Sequence, residues 1–129
     1  MIDVVAAMIW QEGRFLLCRR PAQKARGLQW EFVGGKVEKG ETRPQALIRE
    51  VREELGMEIA VEQPLLTVIH AYPDVSVQLT LFRARIAAGA PRLLEHAAMA
   101  WVTPEQAAAY DLCPADAELL AQLKKEGKI

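Results

Sequence analysis

Between Gly35 and Met57 the chain largely dictates its own local architecture. Gly35 is followed after five residues by Glu41, and after seven more by Arg49-Glu50-Val51-Arg52-Glu53-Glu54-Leu55-Gly56-Met57. Thr42 and Gln45 form a Thr-x-x-Gln capping box, in which two orphan amides at a helix start are satisfied reciprocally. Leu47, Ile48, Val51 and Leu55 recur at helical spacing and predict an inward apolar stripe. Gly56 suits the left-handed conformation that ends such a helix. Gly34, Gly35 and Gly40 predict a pliable loop before it, able to bring Glu41 back towards the helix.

On that helix Glu50, Glu53 and Glu54 stand at i, i+3 and i+4, which stacks the carboxylates on one face. Like charges at this spacing repel by about 0.2–0.5 kcal/mol per exposed pair. A hard divalent cation bound through oxygen turns that repulsion into a site, and Mg2+ is the natural candidate, with Mn2+ as a substitute. By itself, Glu-x-x-Glu-Glu also describes an ordinary solvated helix face, with Arg49 and Glu53 as an i,i+4 pair. The residues by themselves leave both readings open.

A chain of 129 residues fits one domain, since domains commonly run to about 100–200 residues, and the expectation is a single unit over 1–129. Its 51% hydrophobic and 26% charged content is that of an ordinary globular protein. Sixteen basic against 17 acidic residues give a net charge of -1, so no general positive field favours a nucleic-acid polymer. Cys18 and Cys113 are too few for a disulfide framework and read as packed free thiols of a reduced, cytoplasmic chain. Met1-Ile2-Asp3 supplies no basic region ahead of the first apolar run, unlike a secretory signal. No apolar run approaches the ~20 residues that span a bilayer, so no membrane partner is expected.

Along the chain, Ile2 to Trp10 and Arg14 to Arg20 predict a hairpin about Gln11-Glu12-Gly13. Pro21 stops its second strand, Ala22 to Gly27 is a loop, and Trp30 to Val33 is a short extended piece. Leu65 to Ala71 and Val75 to Ile86 predict two further strands about Tyr72-Pro73-Asp74, and Ala97 to Val102 a short one. Thr103-Pro104-Glu105-Gln106 repeats the capping-box chemistry before a short helix. A last helix starts near Pro114, with Leu119, Leu120 and Leu123 inside and acidic residues early, basic ones late. Strands interleaved with two substantial helices predict an α/β sandwich around a mixed sheet.

The Gly35–Met57 pattern resembles that of the Nudix hydrolase family, matching each specified position of Gly, five residues, Glu, seven residues, Arg-Glu-aliphatic-x-Glu-Glu-x-Gly-aliphatic. The resemblance implies the Nudix α/β/α sandwich with a mixed β-sheet and Mg2+-dependent hydrolysis of a nucleoside diphosphate linked to another group. Arg19-Arg20-Pro21-Ala22-Gln23, Trp30 to Glu38 and Pro114-Ala115-Asp116 resemble the MutT-like nucleoside triphosphate pyrophosphohydrolases, nearest to the bacterial CTP pyrophosphohydrolase branch. Val33 departs from the proline often found before the two glycines, which leaves that loop less stiff.

The resemblance implies that Glu50, Glu53 and Glu54 hold the metal with Glu95 and the Gly35 carbonyl, and that Arg49 orients the glutamates. It implies phosphate contact for Arg20 and base reading for Asp116, which stands where MutT-type relatives carry an asparagine. An ionised carboxylate only accepts hydrogen bonds, from the cytosine amine or from the N–H edge of guanine or 8-oxoguanine. A helix-start carboxylate that merely suits the dipole is the plainer alternative. Ile2, Val4, Ala6 and Phe32 are pocket candidates by the same resemblance, and each also reads as core. His70 and His96 have no motif partner and are expected to be structural or surface residues.

The expected activity is hydrolysis of nucleoside or deoxynucleoside triphosphates, modified or oxidised ones such as 8-oxo-dGTP or a modified dCTP, to the monophosphate and pyrophosphate, as nucleotide-pool sanitation in the service of DNA repair. CTP, 8-oxo-dGTP and 2-hydroxy-dATP stay open as substrates, as do monomer and homodimer. Pro73, sixteen residues beyond Met57, resembles a marker of ADP-ribose or nucleotide-sugar pyrophosphatases. A non-catalytic nucleotide-binding module on the same fold is the alternative from another class.

Overall fold

The computed structural model describes residues 1–129. Its elements are β1 (Ile2–Gln11), β2 (Arg14–Arg19), β3 (Trp30–Glu31), β4 (Val33–Lys36), α1 (Arg43–Leu55), β5 (Glu58–Ala71), β6 (Ser76–Ala88), β7 (Ala98–Val102), α2 (Pro104–Ala107) and α3 (Pro114–Lys125). β1 is central. It runs parallel to β6 and antiparallel to β4, while β5 pairs antiparallel to β6. Its last residues, Trp10 and Gln11, also pair with Phe15 and Arg14 of β2, which carries β3 and β7 on its two sides. The sheet is therefore mixed, and helices cover both faces.

Burial follows from that position. Val5, Ala7 and Ile9 point into one core with Leu47, Val51 and Leu55 of α1. Ala6 and Met8 point into the other with Leu119, Leu120 and Leu123 of α3. A strand covered on both sides needs apolar residues at every position, which explains the unbroken run at the start of the chain. Each fully buried Leu or Val contributes about 1.5–3 kcal/mol, so α1 is held mainly by its apolar stripe.

The α1 caps form as expected: Thr42 accepts the Gln45 amide at 3.2 Å, the Gln45 side chain accepts the Thr42 amide at 2.9 Å, and Gly56 closes the helix at φ 65°. Three expectations need correction. Gly34 and Gly35 do not form a pliable loop; they lie in β4, paired with Ala6 and Val5. A β-carbon on Gly34 would stand 2.7 Å from the Ala6 Cα, so glycine is required there for close approach. β5 begins at Glu58, well before Leu65, because its pairing with β6 continues through shifts of register around Pro64. A bulge accommodates the missing proline amide. The Trp30–Val33 piece likewise splits at Phe32 into β3 and β4, which pair with different strands.

Candidate active site

Three of the box glutamates, Glu41, Glu50 and Glu53, are oriented by Arg49. Its guanidinium donates to both oxygens of Glu41 at 2.7 and 3.0 Å, to Glu50 at 2.9 Å, to Glu53 at 3.3 Å and to the Lys36 carbonyl at 3.1 Å. The Glu41 hydrogen bonds are the largest cause of a raised Arg49 pKa. Glu41 is held in turn by the Glu38 amide at 2.9 Å. The pliable-loop reading had the right consequence for Glu41, with Gly40 at φ 86° making the turn.

Glu50 and Glu54 face a cavity of about 330 Å³ between β1, β4, α1 and the N-terminus of α3. Gly35 lies directly beneath the Glu50 carboxylate. Glu54 is buried and its Oε2 has no hydrogen-bond partner. Burial, and then the Glu50 and Glu31 carboxylates, hold the Glu54 pKa well above the ordinary carboxylate range. Glu53 is placed differently. Its side chain is 54% exposed, lies against Arg49 and does not line the cavity. The i, i+3, i+4 spacing thus brings two of the three carboxylates together.

The remaining candidates converge on the same cavity. Ile2, Val4 and Phe32 form its apolar wall, with Arg20, Glu95 and Asp116 around it. Arg20 donates to Glu31 at 2.9 Å and to the Ala25 carbonyl at 2.8 Å, so it is not a free strand-end arginine. Burial opposes its charge, but Glu31 outweighs burial and the Arg20 pKa is raised. Asp116 is buried and accepts the Phe32 amide at 2.9 Å through Oδ1. Desolvation, then the Glu31 charge, raises its pKa to about 8. Burial thus favours the protonated carboxyl, which can donate as well as accept, where the sequence reading took an ionised acceptor.

Sequence reasoning missed Glu31 and its pairing with His96. Glu31 accepts from Arg20 through Oε1 and pairs through Oε2 with His96 Nε2 at 3.0 Å, while the same nitrogen lies 3.8 Å from Glu54 Oε1. His96 is buried, with Nδ1 unpartnered, and lines the cavity; it is not a surface residue. A glutamate between Trp30 and Phe32 in an otherwise apolar stretch was the available signal for Glu31. His70 lies away from the cavity, 3.5 Å from Glu118. Cys18 and Cys113 are buried and free. Desolvation raises both thiols, Cys113 to about 12; Cys18 packs in the core and Cys113 lines the cavity.

A divalent cation suits the donor set. Glu50 and Glu54 supply hard oxygen ligands, and the buried, unpartnered Glu54 Oε2 is the kind of atom that a cation satisfies. No group of three or more His, Cys, Asp or Glu side chains is preassembled to hold a metal. The fit therefore rests on the Glu50–Glu54 pair, with Glu95 on the cavity rim.

The NUDIX domain model matches residues 4–122. The chain is 42% identical over 120 residues to a CTP pyrophosphohydrolase of Escherichia coli strain K12, covering 93% of this chain and 89% of that protein. It is 34% identical over 126 residues to a putative 8-oxo-dGTP diphosphatase 2 of Mycobacterium tuberculosis, covering 95% of this chain and 87% of the relative. The crystal structure of a MutT protein from Methanosarcina mazei Go1 superposes with a TM-score of 0.88 at 26% identity, covering 99% of this chain and 96% of that one. No helix is long and apolar enough to cross a membrane.

Proposed function

The chain belongs to the NUDIX domain family as a MutT-like nucleoside triphosphate pyrophosphohydrolase, and on that premise we propose that it hydrolyses a modified or oxidised nucleoside triphosphate, or CTP, to the monophosphate and pyrophosphate. The observation that carries this reading is one cavity with two chemistries at its ends. Glu50 and buried Glu54 stand at one end, and the Phe32–Asp116 pair beside Ile2 and Val4 stands at the other. A triphosphate spans such a pocket with its anhydride towards the glutamates and its base towards the apolar wall.

Glu50 and Glu54 would hold Mg2+ or Mn2+ with Glu95 and the Gly35 carbonyl, and Glu53 would join them by turning away from Arg49. When bound, the cation neutralises phosphate charge, positions a water and lowers its pKa. Arg49 fixes Glu50 so that its oxygens do not reorganise during turnover, and Arg20 presents guanidinium donors to phosphate oxygens. Glu31 joins Arg20 to His96 through its two hydrogen bonds, and His96 Nε2 lies 3.8 Å from Glu54. Phe32 offers a ring face to a base, while Asp116, anchored on the Phe32 amide, keeps its second oxygen for the base edge. The proposal extends to a single domain over residues 1–129 acting on the free nucleotide pool of the cytoplasm, without a nucleic-acid polymer or membrane as partner.

The test is a nucleotide panel with Mg2+, comprising CTP, hydroxylated and methylated dCTP, 8-oxo-dGTP, 2-hydroxy-dATP, the unmodified triphosphates and ADP-ribose, scored by kcat/KM and product. Expected is pyrophosphate release with a clear preference for one modified base or CTP. Preference for ADP-ribose, or binding without turnover, would overturn the reading.

A further inference from the structure

Residues 21–29 fold back on themselves as one body. Lys24 donates to the Pro21 carbonyl at 3.2 Å, Leu28 to Arg20 at 3.0 Å and Gln29 to Arg26 at 3.2 Å. Arg20 Nε reaches the Ala25 carbonyl at 2.8 Å from the strand end. Gly27 sits so tightly in this fold that a β-carbon there would stand 2.9 Å from the Lys24 carbonyl oxygen. Whatever holds the loop tip therefore also places Arg20 and Lys24, which line the cavity together with Arg26 itself.

The tip is held by Arg26. Its guanidinium lies 4.0 Å above the Tyr72 ring and donates to Asp74 Oδ1 at 2.9 Å, 48 residues away on the β5–β6 turn. Arg26 adopts φ 56°, a left-handed conformation that a residue with a side chain keeps only when other contacts determine it. Tyr72 carries the connection further, since its hydroxyl accepts the Ala115 amide at 2.9 Å, next to Asp116. Arg26 is 22% exposed and Asp74 54% exposed, so water reaches the contact and it is weaker than a buried one.

We propose that Arg26 is a positioning residue, a latch that ties the loop to the Tyr72–Asp74 turn and so holds Arg20 and Lys24 against the substrate phosphates. The inference rests on the triphosphate reading for its ligand, but the latch itself can be read without substrate. Because the latch sets ground-state binding of the phosphates, its loss acts on KM.

The experiment compares the full-length wild type with Arg26→Ala, Arg26→Lys and Asp74→Asn. With the best triphosphate of the panel, Arg26→Ala is expected to raise KM about ten-fold while kcat stays within about two-fold. Arg26→Lys, which keeps a cation for the ring and for Asp74, recovers most of the loss, and Asp74→Asn shows a smaller rise. In parallel, amide hydrogen exchange of residues 22–29 in the substrate-free protein should quicken about ten-fold in Arg26→Ala, with amides in β1 unchanged. An unaltered loop exchange, or a fall in kcat with KM constant, overturns the latch. A wild type inactive on every triphosphate overturns the substrate reading instead, and the exchange data then decide the latch alone.

Discussion

A β-carbon on Gly35 would stand 2.5 Å from Glu50 Oε2 and 2.7 Å from Oε1. Gly35 is thus the floor against which Glu50 is set, and β4 brings that floor to α1. Gly35→Ala is expected to displace the Glu50 carboxylate and lower kcat/KM about 100-fold, the cost of an ångström-scale error in a reacting group. Circular dichroism checks that the fold survives. Wild-type kinetics in the variant would remove Glu50 from the site.

Glu54→Gln separates charge from shape. The buried, unpartnered Oε2 and the neighbouring Glu50 make the carboxylate unfavourable without a cation. The variant should lose Mg2+-dependent turnover by about 100-fold or more while unfolding no more easily than wild type in EDTA. A clear loss of stability in EDTA would argue against a strained, cation-seeking Glu54.

Metal removal gives an independent reading of the same pair. Mg2+ at about a hundred times its Kd should stabilise the wild type by ~2.7 kcal/mol, seen as a rise in thermal midpoint, and EDTA should abolish turnover. Glu54→Gln should show little of that rise. Equal midpoint shifts in both proteins would place the cation elsewhere.

Arg49→Lys keeps a positive charge but loses the two-point grip on Glu41 and the simultaneous hold on Glu50. A residue that orients ligands without touching substrate typically affects function about 10–100-fold, and kcat/KM should fall within that range. Mg2+ affinity, followed by the midpoint titration, should weaken with it.

Asp116 sets a pH dependence. Its folded pKa of about 8 lies above the ordinary aspartate value of 3.8, so between these limits the folded state binds the proton that the unfolded state has released. Stability therefore falls as pH rises from about 4 to 8 and levels off above, because raising the pH favours unfolding wherever the native state holds more protons than the unfolded one. Asp116→Asn should flatten that slope in urea titrations and change the ranking among bases, with phosphate chemistry retained. An unchanged slope would show that Asp116 is ionised in the folded protein.

The chain's own order determined α1, its caps and the acidic pattern, because hydrogen bonds between residues three or four apart need no distant partner. The hairpin, β6 and α3 were legible for the same reason, through local periodicity and turn chemistry. Tertiary structure decided the rest. It made Gly34 and Gly35 a contact surface in β4 and extended β5 through Pro64, since both depend on a partner strand. It turned Glu54 inwards and Glu53 towards Arg49 and solvent, a choice set by what packs against each side of the helix. Glu31, His96 and Asp116 became one polar wall only because β3, the loop before β7 and α3 meet in space. Burial there also raised the Asp116 pKa, through desolvation that no arrangement of letters along the chain records.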